Sequence, residues 1–104
     1  MADTIQSDVA VKDASERVLY LFDFTKFPEY VAAETLTTPV VDAVTGLTIG
    51  TPIVSVAVRD GIAAGGCIEV FISGGTAGVT YNLECRGTFS GGAIRVVKGR
   101  LNVE

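Results

Sequence analysis

Residues 80–89 read Thr-Tyr-Asn-Leu-Glu-Cys-Arg-Gly-Thr-Phe, and their polarity alternates along the segment. Tyr81, Leu83, Cys85, Gly87 and Phe89 share one parity; Asn82, Glu84, Arg86 and Thr88 share the other. A period of two fits a pleated strand with one buried face and cannot form an apolar stripe on a helix of 3.6 residues per turn. Ser90-Gly91-Gly92 follows, and an apolar run resumes at Ile94. That order predicts a β-hairpin.

The rest of the chain follows the same rules. Residues 17–24, RVLYLFDF, predict a strand with Val18, Tyr20, Phe22 and Phe24 on one face. Leu19 and Leu21 occupy the other face, so both sides are expected to be covered. Pro28 cannot donate to a ladder and predicts a turn. Residues 34–43 predict a weak strand that Pro39 marks as an edge or a bulge. Two short strands are expected near 47–50 and 53–59, with a turn at Asp60-Gly61. Residues 67–73 predict a strand with Ile68, Val70 and Ile72 inward and Glu69 outward. In the last strand, 93–103, Ile94 and Val96 share a parity that Leu101 and Val103 do not, which predicts a bulge near Lys98-Gly99.

No segment has convincing helical periodicity. About seven short strands between Gly, Pro and Asp turns predict an all-β chain, an immunoglobulin-like or fibronectin-III-like antiparallel β-sandwich. Residues 17–104 are expected to form that domain. Residues 1–16, polar but for a patch at Val9–Val11, are expected to be an N-terminal arm.

Composition bounds the function. With 104 residues and 48% hydrophobic side chains, the chain holds one core and needs no disulfide or metal staple. The net charge is −4, and Lys and Arg are scattered rather than gathered in a stripe. Nucleic acid is therefore not an expected partner. The chain has no histidine, which removes the commonest general base and metal ligand. The first residues lack the basic start and apolar core of a signal peptide, and no apolar run is long enough to cross a bilayer. The expectation is a protein made in a cytoplasm, with Cys67 and Cys85 reduced and no membrane partner.

Few residues invite chemistry. The glycine-rich run Ser73-Gly74-Gly75-Thr76-Ala77-Gly78 leads into a strand and has no Lys-Ser or Lys-Thr after it. A phosphate loop must feed a helix N-terminus, so this run is read as a turn. Tyr81 follows that turn at the start of a strand, which is the position of a tyrosine corner, where the hydroxyl bonds to backbone a few residues upstream. Gly74, Gly75, Gly78 and Tyr81 are thus expected to be structural. Cys85 has inward parity and is expected to be an inert core thiol; a nucleophile would need a base or a cation beside it. The carboxylates show no pairing, and no calcium-loop spacing occurs. No catalytic residue, metal or cofactor is expected. Phe71 stands on the outward parity of its strand; with Phe27 and Tyr30 around Pro28, and Val9 and Val11 in the arm, it is a candidate interface residue.

Three stretches together resemble a known family: VKDASERVLYLFDFTKF at 11–27, TGLTIGTPIV at 45–54, and VFISGGTAGVTYNLECRGTFSGGAIRVVKGRLNV at 70–103. They are similar to small virion proteins of tailed bacteriophages. That family has a Lys-Asp-x-x-Glu start, an aromatic-Asp-aromatic strand, and S-G-G-T-A-G before T-Y. The chain departs from it in having Phe24 and Phe71 where many members carry tryptophan, and in the stretch VRDGIAAGG at 58–66. The resemblance implies an immunoglobulin-like fold and a non-enzymatic structural role in the virion, as an adaptor joining tail and fibre. Its implied partners are other virion proteins, in a symmetric multi-copy assembly. A capsid decoration protein and a carbohydrate-binding sandwich are the alternatives; the latter would need an exposed aromatic platform.

Overall fold

The hairpin required by the alternation at 80–89 forms the spine of the fold. A computed structural model describes residues 9–59 and 61–104. In chain order its strands are β1 (Val9–Lys12), β2 (Val18–Asp23), β3 (Leu36–Val41), β4 (Leu47–Ile49), β5 (Ile53–Val54), β6 (Cys67–Gly74), β7 (Thr80–Phe89) and β8 (Ile94–Val103). A one-turn helix, α1 (Pro28–Val31), interrupts them. One sheet has the order β1-β8-β7-β3; the other has β2-β6-β4, with β5 also paired to β6. All these pairs are antiparallel except β1 with β8.

The two sheets face each other across one apolar layer. Phe22, Phe24, Ile68, Val70 and Ile72 meet Leu83, Cys85, Phe89, Val97, Leu101 and Val103, all buried. Along β7 every inward residue named from the sequence is buried, and every residue between them is partly or fully exposed. Each large apolar side chain so covered contributes roughly 1.5–3 kcal/mol. Gly87 belongs in this row for want of space. A Cβ there would lie 2.6 Å from Leu36 Cδ1 and 3.2 Å from both Ile68 Cδ1 and Phe24 Cε2.

Several local expectations agree with the fold. β3 is an edge strand, and its pairing with β7 shifts register between Thr37 and Val40, around Pro39. Both faces of β2 are covered towards its end, where Tyr20, Leu21 and Phe22 are all buried. The chain does turn at Pro28, and it does so through α1, where proline at the first helical turn loses no hydrogen bond. Arg59 and Ile62 form an antiparallel bridge across a turn containing Gly61; Asp60 lies outside the described residues.

Three expectations need correction. β8 has no bulge: its register against β7 runs without a slip from Asn102 opposite Thr80 to Ile94 opposite Thr88. Its inward residues are Val97, Gly99, Leu101 and Val103, while Ile94 and Val96 stand on the open face. The parity was hidden because Gly99 has no side chain to reveal it. A Cβ at Gly99 would collide with the Tyr20 hydroxyl, which fills that space and donates to the Arg100 carbonyl at 3.3 Å. Glu69 stands on the outer face of β6 as expected, yet it is buried. The segment after β5 folds over this end of the sheet: Ser55 N–H donates to the Cys67 carbonyl, and Arg59 Nε lies 2.9 Å from Glu69 Oε2. Finally, the strand expected over 53–59 ends at Val54. There the Ser55 hydroxyl turns back to bond the Ala57 carbonyl.

Part of the stretch expected as an arm is regular structure: Val9–Lys12 pairs in parallel with Arg100–Val103. Residues 1–8 lie outside the described residues.

Candidate interaction surface

The Lys-Asp-x-x-Glu start is a closed turn. Lys12 is only 1% exposed, and its Nζ donates to the carbonyls of Asp13 (2.8 Å) and Glu16 (3.0 Å). A buried ammonium needs such acceptors, since desolvation otherwise disfavours it. The Asp13 N–H donates to Glu16 Oε1, and the Glu16 N–H donates back to the Asp13 carbonyl. Hydrogen bonds from the Ser15 backbone and hydroxyl hold the Asp13 carboxyl below its ordinary range. The turn therefore fixes how β1 enters β2.

A second node joins the two sheets at the glycine-rich turn. The Thr76 N–H donates to the Tyr81 hydroxyl at 2.9 Å. Gly74, Gly75 and Gly78 all have positive φ. At Gly75 the constraint is double, since φ is +99° and a Cβ would lie 2.8 Å from Val103 Cγ2 and 3.4 Å from the Tyr81 ring. The turn that links β6 to β7 thus packs backbone directly against Tyr81 and the end of β8.

On the outer face of the β2-β6-β4 sheet, Phe71 is the central side chain. It pairs across the strand with Leu19 and is 42% exposed. The Arg17 guanidinium sits 3.9 Å from the centre of its ring. β4 and β5 run along the same edge of β6, and residues 50–52 between them lie beside Phe71, where the Gly50 N–H donates to the Phe71 carbonyl at 2.8 Å. Ile53 is half-exposed beyond it, and Val56 and Val58, on the segment after β5, are largely exposed, Val56 to 89%. This is an aromatic and aliphatic surface with a cation stacked on it.

The other sequence candidates are placed differently. Phe27 and Tyr30 are half-buried and pack against the core. Phe27 contacts the Phe24 ring and lies under Arg95, which pairs through both Nε and Nη2 with Glu29. That pair holds the Glu29 carboxyl below its ordinary range. Val11 is exposed on the outer face of the β1-β8-β7-β3 sheet. Val9 stands in β1, and its side chain lies outside the described part of the structure. Cys85 is fully buried, and burial pushes its thiol up to about 12. Cys67 is also fully buried, on the opposite parity under the segment after β5, and burial raises its thiol too. Both cysteines are free.

Sequence reasoning missed Lys12, Arg17 and the outward pair Ile94 and Val96. A lone lysine on a short polar segment carries no burial signal. Arg17 could have been found, because it shares the parity of Leu19, opposite Phe71. The opposed parities of Ile94 and Val96 and of Leu101 and Val103 predicted a bulge, where the first pair in fact faces outward.

None of the curated proteins compared with the chain matches it. A family model described as podophage GP4 fiber-tail adaptor protein gp77 matches residues 12–102, from the buried lysine to within one residue of the end of the last strand. The chain belongs to this family of phage tail adaptor proteins.

Proposed function

We propose that this chain joins tail and fibre in a tailed-phage particle, acting through protein–protein contacts and not as an enzyme, in several copies related by the particle's symmetry. The family match carries this reading, because it spans residues 12–102, nearly all of the sandwich, and not one motif. The outer chemistry suits it. Phe71 and Ile53 on one face, and Ile94, Val96 and Val11 on the other, expose apolar side chains of the kind that anchor interfaces. Repetition by symmetry would multiply such modest contacts into stable attachment.

The sandwich itself we assign to the immunoglobulin type. Three features support that assignment: a parallel first strand beside the last, Tyr81 at the start of the penultimate strand, and its hydroxyl bonded five residues upstream. Cryo-electron microscopy of intact particles tests the function. The expected result is density for this sandwich between tail and fibre. Particles that lack the chain, or hold it on the capsid, contradict the proposal.

A further inference from the structure

We propose that the Arg17–Phe71 surface receives a carboxylate set beside an apolar side chain, on an extended segment of a neighbouring virion protein. The inference rests on the tail-adaptor reading and names the partner's chemistry. Arg59, Arg86 and Arg95 each hold a carboxylate within 3.0 Å. Among the described residues Arg17 holds none; its guanidinium carbon sits over the Phe71 ring instead, 3.9 Å from the ring centre. A guanidinium resting on a ring keeps N–H donors to spare, and its planar fork matches a carboxylate through two hydrogen bonds. The ring also holds the long arginine side chain in place before a partner arrives, which reduces the ordering cost of binding.

The apolar half of the site adjoins the cation. Leu19 is the cross-strand partner of Phe71, and Ile53 lies diagonally beside it through its pairing with Glu69. Gly50 contributes no side chain next to the ring. A partner strand can therefore lay an aliphatic or aromatic side chain over Phe71 while an Asp or Glu on the same face reaches Arg17. A purely apolar partner would leave the guanidinium desolvated and unpaired. A basic partner would be repelled.

The test is made in the phage. Particles carrying Arg17→Glu should retain this chain at about one tenth of wild-type occupancy or less, measured by quantitative mass spectrometry of purified particles. Phe71→Ala should also lower occupancy. The isolated Arg17→Glu protein should remain folded, its melting temperature lower by only a few degrees for the lost cation–π contact, because Arg17 is exposed. Second-site revertants of Arg17→Glu should change Asp or Glu to Lys or Arg in another virion protein. Wild-type occupancy of Arg17→Glu particles overturns the inference, as do revertants confined to this chain. Wild-type particles without the chain instead sink the tail-adaptor reading itself, so the two failures are distinguishable.

Discussion

At residue 81 the hydroxyl, not the ring, marks the site as special. A phenylalanine would fill the same space against Gly75 and Val103 but leave the Thr76 N–H without its acceptor. Tyr81→Phe should destabilise the domain by about 1 kcal/mol, the usual net value of one such hydrogen bond. Thermal melting checks this, and an unchanged midpoint contradicts it. Cys85 makes a second residue-scale prediction. Its thiol is held up to about 12 by burial, whereas an open thiol titrates near the ordinary value of 9.0. Below pH 9.0 both folded and unfolded chains keep the proton, and stability is unaffected. Above it the unfolded chain releases a proton that the folded chain retains, so stability falls as pH rises towards 12. The contribution of this residue to the folding constant should drop by about tenfold per pH unit in that window. Comparing the pH dependence of denaturant unfolding for wild type and Cys85→Ala isolates it, since other groups titrate equally in both. Parallel curves would count against a protected thiol.

The last strand shows at the level of the element how a glycine can hide register. Its inward row is Val97, Gly99, Leu101 and Val103, and the vacancy at Gly99 is filled from the opposite sheet by Tyr20. Gly99→Ala should therefore destabilise by about 1–3 kcal/mol, the range for forcing a methyl into a filled core. Gly87→Ala should do the same against Leu36. Gly92→Ala separates the two causes. It meets nothing within 4 Å but holds φ at +99°, so its cost is backbone strain alone. Urea unfolding of the three variants measures these costs; a neutral Gly99→Ala would mean that Tyr20 can move aside. At the same scale, β3 carries its own protection. Pro39 and the shifted register at Thr38 disturb the open edge of the β1-β8-β7-β3 sheet, which discourages strand addition there. That leaves the outer faces, rather than this edge, as the surface for docking.

Over the whole molecule, the chain changes sheets repeatedly. It passes from β2 to β3, from β3 to β4 and from β6 to β7, each time crossing between layers. Even the short β1 pairs with residues some ninety positions away, Val9 opposite Arg100. Such long-range pairing requires loop closure before contacts stabilise it. Refolding from denaturant should accordingly take milliseconds to seconds, and stopped-flow fluorescence of the tyrosines reads it. Microsecond relaxation would show that local contacts dominate. The crossings also explain how the surface in front of Arg17 is assembled: β2, β6 and the segment around Gly50 come together there only because β6 takes β2 on one edge and β4 and β5 on the other, all from earlier parts of the chain.

What the sequence determined by itself is the set of strands from β2 onward and the inner face of most of them; β1 was read as part of an arm. Period-two alternation in β7, the double-sided apolar run in β2, and Pro39 in β3 were legible because each depends on neighbours along the chain. The outward position of Phe71 was legible for the same reason. Tertiary structure alone decided what covers the outer faces and what fills gaps on the inner ones. Glu69 and Cys67 are buried on an outer face because the segment after β5 folds back, Ser55 bonding Cys67 and Arg59 pairing with Glu69; on the inner side, carbonyls close around the Lys12 ammonium, and a tyrosine from the other sheet occupies the space at Gly99. Burial on an outer face depends on what arrives from elsewhere in the chain, and a periodic pattern along one strand carries no record of that arrival.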